Sequence, residues 1–322
     1  MKLKVLSRAD VTAAVDMPAA IDAVAGAYRE LSSGRAQSPV RLGLDAPGGV
    51  ALFMPAYLMD SGAMGAKIVS MFPGNPERGL ASIHGIVLLV DPETGVPVAI
   101  MDGTYLTALR TGAGSGVATR ALARDDARVL TVFGAGGQAR TQIEAVRAVR
   151  SIEEVRIVSR GGRSAAALAE ELEGVRAHAL TDAAEAVRGA DVICAATTSS
   201  EPVFPGSAVS PGVHVNGVGS FKPTMQEVDA DLLLRALIVV DARDAALEEA
   251  GDLVIPIRDG VFDEDHIAAD IGEILSGKAE GRTSPEQITY FKSVGNAVQD
   301  MAVGLLALRE AEARGLGQDI EI

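Results

Sequence analysis

The fold is decided by residues 129–139, which read Val129-Leu130-Thr131-Val132-Phe133-Gly134-Ala135-Gly136-Gly137-Gln138-Ala139. A short β-branched, apolar run ends at a glycine cluster, and a helix-prone segment over residues 138–149 follows at once. This order predicts a strand, a tight turn and a helix N-terminus. Gly134, Gly136 and Ala139 match the spacing G-x-G-x-x-G/A, which permits the turn, the approach of a pyrophosphate and close packing of helix on strand. Because free N–H groups and the helix dipole attract anions, the stretch predicts a dinucleotide diphosphate site.

The composition sets limits on the class of protein. A chain of 322 residues is long enough for two domains with full cores. A formal net charge of -14 argues against nucleic acid or an anionic membrane as a partner, since both need basic surface. No apolar stretch is long enough to cross a bilayer. The single cysteine excludes an intrachain disulfide and predicts a cytoplasmic protein.

Histidine spacing gives no sign of a metal. The four histidines are scattered along the chain without the spacing of metal ligands: His84, His178, His214 and His266. The sequence therefore predicts no metal site.

Downstream of the glycine turn, strand and helix patterns alternate. The predicted strands are residues 155–158, 177–180, 191–196, 214–217 and 237–240, with helices over 164–172 and 182–187. Such alternation predicts a mostly parallel sheet wrapped by helices, with ligands bound beyond the carboxyl ends of the strands. The segments expected at those ends are 134–138, 159–163, 197–200 and 217–222, so Ser159, Thr197 and Ser220 are candidate nucleotide contacts. Cys194, inside an apolar strand, is interpreted as an inert buried thiol.

The first hundred residues have a different pattern. Helices are expected after Ser7 and after Asp16, because each begins a capping signal, and strands are expected over residues 40–44, 50–54, 65–71, 84–90 and 96–101. This predicts two helices and an antiparallel sheet. A long helix beginning near Asn296 presents an apolar face suited to packing on this first domain; its members are Val298, Met301, Ala302, Leu305, Leu306 and Leu308.

These patterns together predict the fold class and the domains. The class is α/β, with a Rossmann-type parallel-sheet domain over residues 116–295 inserted into an α+β domain formed by 1–115 and 296–322. The helix predicted over 104–123 carries Gly112, Gly114 and Gly116, each costing roughly 1 kcal/mol relative to alanine. Either that helix is a loosely packed connector, or its small residues let it lie against another backbone or a flat ligand.

The strand that ends at Val158 carries the information on which nucleotide binds. It runs into Ser159-Arg160-Gly161-Gly162-Arg163, which has two arginines and no carboxylate. A carboxylate there would bind the ribose 2′-hydroxyl of NAD, whereas a guanidinium holds a 2′-phosphate. The sequence thus predicts NADP(H) in preference to NAD(H), with NAD(H) still possible. The alternative is that Arg160 and Arg163 only solvate a loop.

Several motifs identify a family resemblance over essentially the whole chain. Two of them, residues 106–113 (LTALRTGA) and 134–140 (GAGGQAR), resemble the ornithine cyclodeaminase/μ-crystallin family. Its later landmarks are similar to Gly65-Ala66-Lys67, Gly79-Leu80-Ala81-Ser82, Asn216-Gly217-Val218-Gly219-Ser220 and residues 291–300 (FKSVGNAVQD). The resemblance implies a homodimer, with the split domain binding substrate and forming the interface and a Rossmann domain between its halves. It also implies a nicotinamide-dependent oxidoreductase acting on a small amino or imino acid.

The resemblance also implies individual roles. Arg41 and Lys67 would bind the substrate carboxylate, and Arg110 would lie at the junction of substrate and nicotinamide, which makes Lys67 and Arg110 the predicted catalytic residues. Val294 would line the substrate pocket. The residues implied to line the cofactor are Ser82, Gly137, Gln138, Thr198, Val218 and Ser293. The physical interpretation agrees, because an arginine fork and a lysine charge anchor a carboxylate and a lysine among apolar neighbours is unusual unless paired or functional. Arg41, on a predicted strand, could instead be a solvated edge residue.

One departure from the family decides the predicted reaction. Cyclodeaminases and archaeal-type alanine dehydrogenases carry an aspartate shortly after the Val-Gly pair as general acid/base, and this sequence has Phe221 there. Cyclodeamination needs a base, whereas an iminium can arrive protonated and requires only hydride. The resemblance therefore favours NADPH-dependent reduction of a cyclic ketimine acid, Δ1-pyrroline-2-carboxylate or Δ1-piperideine-2-carboxylate, to L-proline or L-pipecolate.

Two other functions and four other bases remain open. The functions are an ornithine cyclodeaminase or alanine dehydrogenase, and a non-catalytic, crystallin-like protein that binds a nucleotide. The residues that could replace the missing base are Glu227, Asp229, His84 and Ser220, with Glu227 and Asp229 expected to start the helix that follows.

Overall fold

The computed structural model describes residues 2–322. The strands along this part of the chain are β1 (Lys2–Leu6), β2 (Ala36–Gln37), β3 (Leu42–Ala46), β4 (Gly49–Leu58), β5 (Met64–Met71), β6 (Ile83–Val90), β7 (Pro97–Asp102), β8 (Val129–Phe133), β9 (Glu154–Val158), β10 (Arg176–Leu180), β11 (Val192–Ala195), β12 (His214–Gly217), β13 (Ala236–Val240), β14 (Ile267–Asp270), β15 (Ile288–Lys292) and β16 (Gln318–Glu321). The helices are α1 (Arg8–Ala14), α2 (Met17–Ser32), α3 (Gly103–Leu122), α4 (Ala139–Val149), α5 (Arg163–Glu170), α6 (Ala183–Val187), α7 (Ala230–Leu233), α8 (Arg243–Glu249), α9 (Gly251–Arg258), α10 (Ile271–Leu275) and α11 (Ala297–Arg314).

Contacts between Cα atoms divide the chain into two units. The first comprises Met1–Arg110 and Asn296–Ile322, and the second comprises Thr111–Gly295. The second unit is therefore inserted in sequence between the two parts of the first. The division by contacts falls inside α3, after Arg110, where the sequence patterns predict a boundary after residue 115. We call these the split unit and the inserted unit.

The split unit is built on one largely antiparallel sheet. Its strand order is β16-β1-β7-β6-β5-β4-β2, with β3 also paired to β4. Strands β4 to β7 form a meander whose neighbours are antiparallel, as predicted, whereas β1 pairs parallel to β7 and β16 antiparallel to β1. The terminal strands β1 and β16 have no counterpart among the predicted strands. Arg41, expected on a strand, lies in the loop directly before β3.

Side-chain caps fix where the helices of the split unit begin. Ser7 and Asp10 form a capping box at α1, and the Asp16 side chain caps α2, so both predicted starts are confirmed. Asn296 and Gln299 form a capping box at α11. Helix α11 packs on α2 and on strands β4, β5 and β6.

The buried face of α11 differs in part from the predicted apolar face. Val298, Met301 and Leu308 are buried as expected, but Ala302, Leu305 and Leu306 are only half-buried. Two polar residues of the first turn, Gln299 and Asp300, are completely buried instead. A pattern of apolar residues cannot reveal this, because a buried polar group is stable only with partners from elsewhere in the chain.

The inserted unit is the predicted Rossmann-type fold. Its sheet has the order β10-β9-β8-β11-β12-β15-β13-β14, and every neighbouring pair is parallel. The chain runs outward from β8 to β10 and then returns to the other side of β8 at β11. This reversal is the point where such sheets bind ligands beyond the carboxyl ends of their strands. Strand β15, which lies between β12 and β13, is not among the predicted strands.

Hydrophobic cores cover both faces of the parallel sheet. One cluster includes Phe133, Phe204 and Tyr290, and the other includes Val132, Ile143 and Cys194. Burial raises the pKa of the Cys194 thiol to about 12, which confirms the interpretation of an inert buried cysteine.

Helices α3 and α4 lie close together at Gly112. A Cβ atom on Gly112 would lie 2.5 Å from the carbonyl oxygen of Thr141, so a larger residue would clash with the backbone of α4. This confirms the alternative that small residues allow α3 to lie against another backbone. Over residues 2–322, no helix has the length and apolar character needed to cross a bilayer.

Candidate active site

A buried carboxylate in the split unit holds two cations. Lys67 lies on β5, one of the strands that α11 covers, and its Nζ is 2.8 Å from Oδ2 of Asp300. The Nε of Arg110, on α3, donates to the other oxygen, Oδ1, at 3.0 Å. Lys67 and Asp300 are buried, and Arg110 retains 5% of its exposure. Two of the predicted substrate-binding residues are therefore brought together by a third residue to which the sequence patterns assign no role. We call Lys67, Arg110 and Asp300 the cation cluster.

Further hydrogen bonds fix the direction of the Arg110 side chain. Its Nη1 donates to Oε1 of Gln299 at 2.7 Å, and the Gln299 amide donates to the buried hydroxyl of Tyr28 at 2.6 Å. The backbone N–H of Asn296 donates to the same Oε1 of Gln299 at 2.9 Å. Within residues 2–322, Nη2 of Arg110 has no acceptor, which leaves one edge of the guanidinium available to a ligand.

The surroundings of Lys67 favour its neutral form. Burial, and after it the nearby charge of Arg110, lower the pKa of Lys67 to about 7 against the opposing effect of Asp300. The charge of Arg41 also acts to lower the pKa of Lys67, so Arg41 lies close enough to influence the same group. A lysine with a pKa near neutrality can both attract a carboxylate and give up a proton.

The glycine turn of the inserted unit has the geometry that a diphosphate needs. Gly134 has a φ of +100°, and a Cβ there would lie 2.5 Å from the carbonyl oxygen of Ala196, so the position requires glycine. A Cβ on Gly136 or Gly137 would meet no atom within 4 Å, which leaves the backbone open to a ligand. The side-chain oxygen of Gln138 is buried and has no hydrogen-bond donor within residues 2–322. These features fit a dinucleotide at the start of α4.

The two predicted phosphate-binding arginines follow β9, Arg160 in the loop and Arg163 as the first residue of α5. Arg160 and Arg163 are exposed, and neither guanidinium has an acceptor among residues 2–322. The Ser159 hydroxyl accepts from the backbone N–H of Ala165 at 3.2 Å and from the Ser164 hydroxyl at 3.0 Å. Ser159 therefore organises the start of α5, and the two arginines stay free to meet an anion.

The loops after β11 and β12 are joined by Glu227. The Thr197 hydroxyl donates to Oε1 of Glu227 at 2.8 Å, and the Ser220 hydroxyl donates to the carbonyl of Met225 at 2.8 Å. Ser220 is completely buried and its hydroxyl is used inside the protein, so its contact with a nucleotide stays a prediction. At the ends of the same strands, Thr198 is exposed and Val218 is half-buried.

Two predicted contacts near residue 294 also have partners inside the protein. The Ser293 hydroxyl donates to Oδ2 of Asp241 at 2.7 Å, and the N–H groups of Val294 and Gly295 donate to the same oxygen. The Val294 side chain belongs to a hydrophobic core cluster of the inserted unit, and its place in a substrate pocket stays a prediction. Ser82, in the split unit, lies half-buried in the loop before β6.

Three of the four residues considered as replacement bases, Glu227, Asp229 and Ser220, make hydrogen bonds inside the protein. Asp229 caps α7 as predicted, but Glu227 does not start that helix, because its carboxylate turns into the protein interior. His84 lies on the exposed face of β6. Phe221 packs its ring against a core cluster of the inserted unit. Among these candidates, no side chain combines a carboxylate with exposure beside Phe221.

Sequence reasoning missed the residues that position the site. Asp300, Gln299 and Tyr28 have no role in the sequence analysis, and neither has the buried pair Asp252 and Lys292. The available signal was a charged residue inside an apolar run, which drew attention to Lys67 and applies equally to Lys292 and Asp300.

The fold defines the class of protein, a two-unit α/β protein with a Rossmann-type nucleotide-binding sheet. A model of the ornithine cyclodeaminase/mu-crystallin family matches residues 1–313. The chain belongs to this family. A Delta(1)-pyrroline-2-carboxylate reductase of Bacillus cereus is 43% identical over 313 residues, which cover 95% of this chain and 96% of that protein.

Two solved structures resemble the chain over nearly its full length. The Thermococcus litoralis Delta(1)-pyrroline-2-carboxylate reductase, in complex with NADH and L-proline, has a TM-score of 0.95 and 40% identity, covering 98% of this chain and 100% of that one. An archaeal alanine dehydrogenase dimer with bound NAD has a TM-score of 0.94 and 37% identity, covering 100% of both chains. Both relatives hold a nicotinamide nucleotide, and both are named for reactions of amino or imino acids.

The cation cluster leads to a prediction about stability. Replacing Asp300 by Asn leaves two buried cations without their counter-ion, and breaking such a buried pair costs about 3–5 kcal/mol. We expect Asp300→Asn to lower the free energy of unfolding by an amount of that order, measured by urea denaturation. The matched control is Asp60→Asn, because Asp60 is also paired with an arginine, Arg35, at 2.8 Å, but both side chains are about half exposed. The control should change stability by less than about 1 kcal/mol. Equal effects of the two substitutions would contradict the role given to Asp300.

Proposed function

We propose that the protein is an NADPH-dependent reductase of a small cyclic ketimine acid, converting Δ1-pyrroline-2-carboxylate or Δ1-piperideine-2-carboxylate to L-proline or L-pipecolate. The broader class is an oxidoreductase that uses a nicotinamide nucleotide on C=N or CH–NH bonds of amino or imino acids. The observation that carries the proposal is the cation cluster. It supplies what a small imino acid requires, a fixed counter-charge for its single carboxylate.

The charge of the cluster matches that of the substrate. Lys67 and Arg110, when protonated, outweigh Asp300 by one positive charge, and Arg41 adds a second cation nearby. A monocarboxylate can therefore bind to the free edge of Arg110 and to Lys67. Two anchors fix which face of the planar imine is presented, since a planar guanidinium and a point charge restrict rotation about the carboxylate.

When bound, a nicotinamide nucleotide would supply the hydride for the imine carbon. The protein provides orientation and a proton. Lys67 Nζ holds a proton at a pKa of about 7, so it can protonate the imine nitrogen, directly or through water, and is reloaded from solvent near neutral pH. Asp300 keeps Nζ in place through its 2.8 Å contact.

The lack of a carboxylate at Phe221 favours reduction over cyclodeamination. Phe221 occupies the position where cyclodeaminases carry an aspartate, and its ring packs on an apolar core. Cyclodeamination needs a further base for the second amine that attacks the imine, whereas reduction of an imine needs only hydride and the one proton that Lys67 can deliver. Proline beside NADH in the Thermococcus litoralis relative is consistent with a cyclic product.

Turnover and its pH dependence test the proposal. Absorbance of NADPH should fall on addition of either cyclic imine, and kcat/KM should decline up to about tenfold per pH unit above pH 7, as Lys67 loses its proton in the free enzyme. Lys67→Arg keeps the charge at all accessible pH, so any decline that remains in this variant belongs to the substrate. Lys67→Met should lose most of kcat/KM, and its remaining kcat/KM should no longer decline above pH 7. A wild-type profile in Lys67→Met would remove Lys67 from the mechanism.

A matched substrate panel separates this function from the alternatives. Ammonia release from ornithine would indicate a cyclodeaminase, and nucleotide reduction with alanine would indicate an alanine dehydrogenase. Nucleotide binding with no turnover of cyclic imines, proline, pipecolate, alanine or ornithine would favour a binding protein.

The nucleotide preference rests on the loop after β9. Arg160 and Arg163 are exposed, and neither has an acceptor in residues 2–322. Residues 159–163 contain no carboxylate, which would repel a 2′-phosphate. We expect Arg160→Ala and Arg163→Ala each to lower kcat/KM for NADPH about tenfold and to leave the value for NADH within about twofold. Arg176→Ala, at an exposed arginine on β10 of the same sheet, is the control. A wild-type preference for NADH, the nucleotide bound to the Thermococcus litoralis relative, would make the NADPH assignment wrong.

We further propose a homodimer formed through the exposed face of the split-unit sheet. A row of aligned apolar residues crosses four strands on this face: Leu42, Phe53, Ile68 and Ile86. Three of them are exposed, at 61%, 37% and 43% for Leu42, Ile68 and Ile86. A contiguous apolar face of this kind favours association with a second copy.

Sedimentation of a charge variant tests the dimer. Ile68→Glu places a carboxylate in the middle of the row and should convert the dimer to a monomer at micromolar concentration. The control is Leu234→Glu, at an exposed leucine of the inserted unit. A monomeric wild-type protein, or a dimer unaffected by Ile68→Glu, would contradict this interface.

A further inference from the structure

The inserted unit contains a carboxylate that the proposed reaction does not use. Glu227 is completely buried, and its two oxygens accept four hydrogen bonds from two separate loops. The Thr197 N–H and hydroxyl donate to Oε1 at 2.6 and 2.8 Å, and the N–H groups of Gly219 and Ser220 donate to Oε2 at 2.7 and 3.1 Å. Each oxygen therefore holds one loop, the loop after β11 and the loop after β12.

A second buried carboxylate holds Glu227 itself in position. Oδ1 of Asp252, at the start of α9, accepts from the backbone N–H of Glu227 at 2.6 Å. Oδ2 of Asp252 accepts from Lys292 Nζ and from the Tyr290 hydroxyl, both at 2.9 Å. Lys292 and Tyr290 belong to β15, which lies beside β12 in the centre of the sheet. The carboxylate that joins the loops is thus anchored to the rigid part of the unit.

The two loops are packed too tightly for any side chain at their contact. A Cβ on Gly219 would lie 2.1 Å from the Thr197 carbonyl oxygen and 2.4 Å from Oε1 of Glu227. The glycine turn joins the same arrangement, because a Cβ on Gly134 would lie 2.5 Å from the carbonyl oxygen of Ala196. The segments that follow β8, β11 and β12 therefore lie in close backbone contact at these two glycines. A shift of the loop after β11 would press on both of its neighbours.

We propose that Glu227 is a positioning residue for the nucleotide, setting the relative placement of the loops after β11 and β12 without touching the ligand. This inference rests on the proposed function, since it takes these loops as part of the nucleotide site. These loops flank the reversal in strand order, where a Rossmann-type sheet binds its ligand. The hydroxyls of Thr197 and Ser220 support the same role, because both are used inside the protein.

The chemistry explains why a carboxylate is needed. All four groups that reach Glu227 are donors, and only a carboxylate offers acceptors on both of its terminal atoms. A glutamine of the same size would present its NH2 group to one pair of donors. One loop would then lose its hydrogen bonds and face a buried donor instead. Lys292 supplies the positive charge that offsets the buried anions.

The test is nucleotide affinity in Glu227→Gln, measured by titrating NADPH fluorescence. We expect the Kd for NADPH to rise about tenfold or more, because hydrogen bonds that place one loop are lost. In turnover assays, KM for the nucleotide should rise while KM for the imino acid stays within about twofold. Glu227→Asp keeps the charge but shortens the reach, so its Kd should lie between those of wild type and Glu227→Gln.

Asp191→Asn is the matched control. Oδ2 of Asp191 also accepts from two backbone N–H groups, those of Arg128 and Val129 at 2.8 and 2.9 Å, while its Oδ1 pairs with Arg124. Asp191 acts at the opposite, amino end of the strands. The Asp191→Asn substitution should lower the free energy of unfolding and leave the Kd for NADPH within about twofold of the wild-type value. Equal losses of affinity in the two variants would reduce Glu227 to a general structural role and overturn the proposal.

Other outcomes of these titrations would contradict either the positioning role of Glu227 or the proposed function. A folded Glu227→Gln with the wild-type Kd overturns the positioning role. If Glu227→Gln does not fold, Glu227→Asp replaces it, and a wild-type Kd in that variant overturns the proposal in the same way. A wild-type protein that binds neither NADPH nor NADH would instead show that the proposed function is wrong. The two failures are therefore distinguished by the wild-type titration alone.

Discussion

The split unit depends on one shared carboxylate. Asp300 gives one oxygen to Lys67 and the other to Arg110; Lys67 and Asp300 are buried, and Arg110 keeps only 5% of its exposure. Two cations cannot be buried side by side without such a partner, because desolvation and mutual repulsion both oppose it. The strand β5, the helix α3 and the helix α11 must therefore meet at one point. That requirement makes the first turn of α11 part of the site and not merely part of its support.

The inserted unit also depends on a buried carboxylate, which accepts hydrogen bonds from loops at the ends of its strands. Its strand ends carry loops with N–H groups that no strand pairs, and Glu227 collects those of two loops on one buried anion. Asp252 and Lys292 then connect that anion to the sheet. In each unit, a buried carboxylate joins elements that are distant in sequence. The difference lies in the partners: cations in one unit, and mainly backbone N–H groups in the other.

The architecture was largely predictable because local signals repeat along the sequence. The glycine turn, the alternation of strands and helices and the capping residues Ser7 and Asp16 act over a few residues, and each lies within a residue or two of its expected place. Strands β1, β2, β14, β15 and β16 were missed. Strands β1 and β16 pair with each other across almost the whole length of the chain. No local pattern records such a pairing.

The site was predictable only in part. Lys67 stood out because a charge is rare among apolar neighbours, and the structure pairs it with Arg110 through Asp300. Buried polar residues were harder to predict, because a polar side chain is stable in the interior only with partners that the sequence does not identify. The position of Ser220 in a motif predicts a contact with the ligand, but no local pattern shows that its hydroxyl donates to the carbonyl of Met225.

The order of the chain has a consequence for how the molecule is made. Arg110 and Asp300 are separated by 190 positions. Lys67 and Arg110 are therefore synthesised long before Asp300, the carboxylate that compensates their charges. The inserted unit, contained in Thr111–Gly295, is complete in the nascent chain before α11 emerges. Until then the sheet is not covered by α11, and water must solvate the neighbouring charges of Lys67 and Arg110. Its closure by the last helix is a late, long-range event, of the kind that slows folding as sequence separation grows.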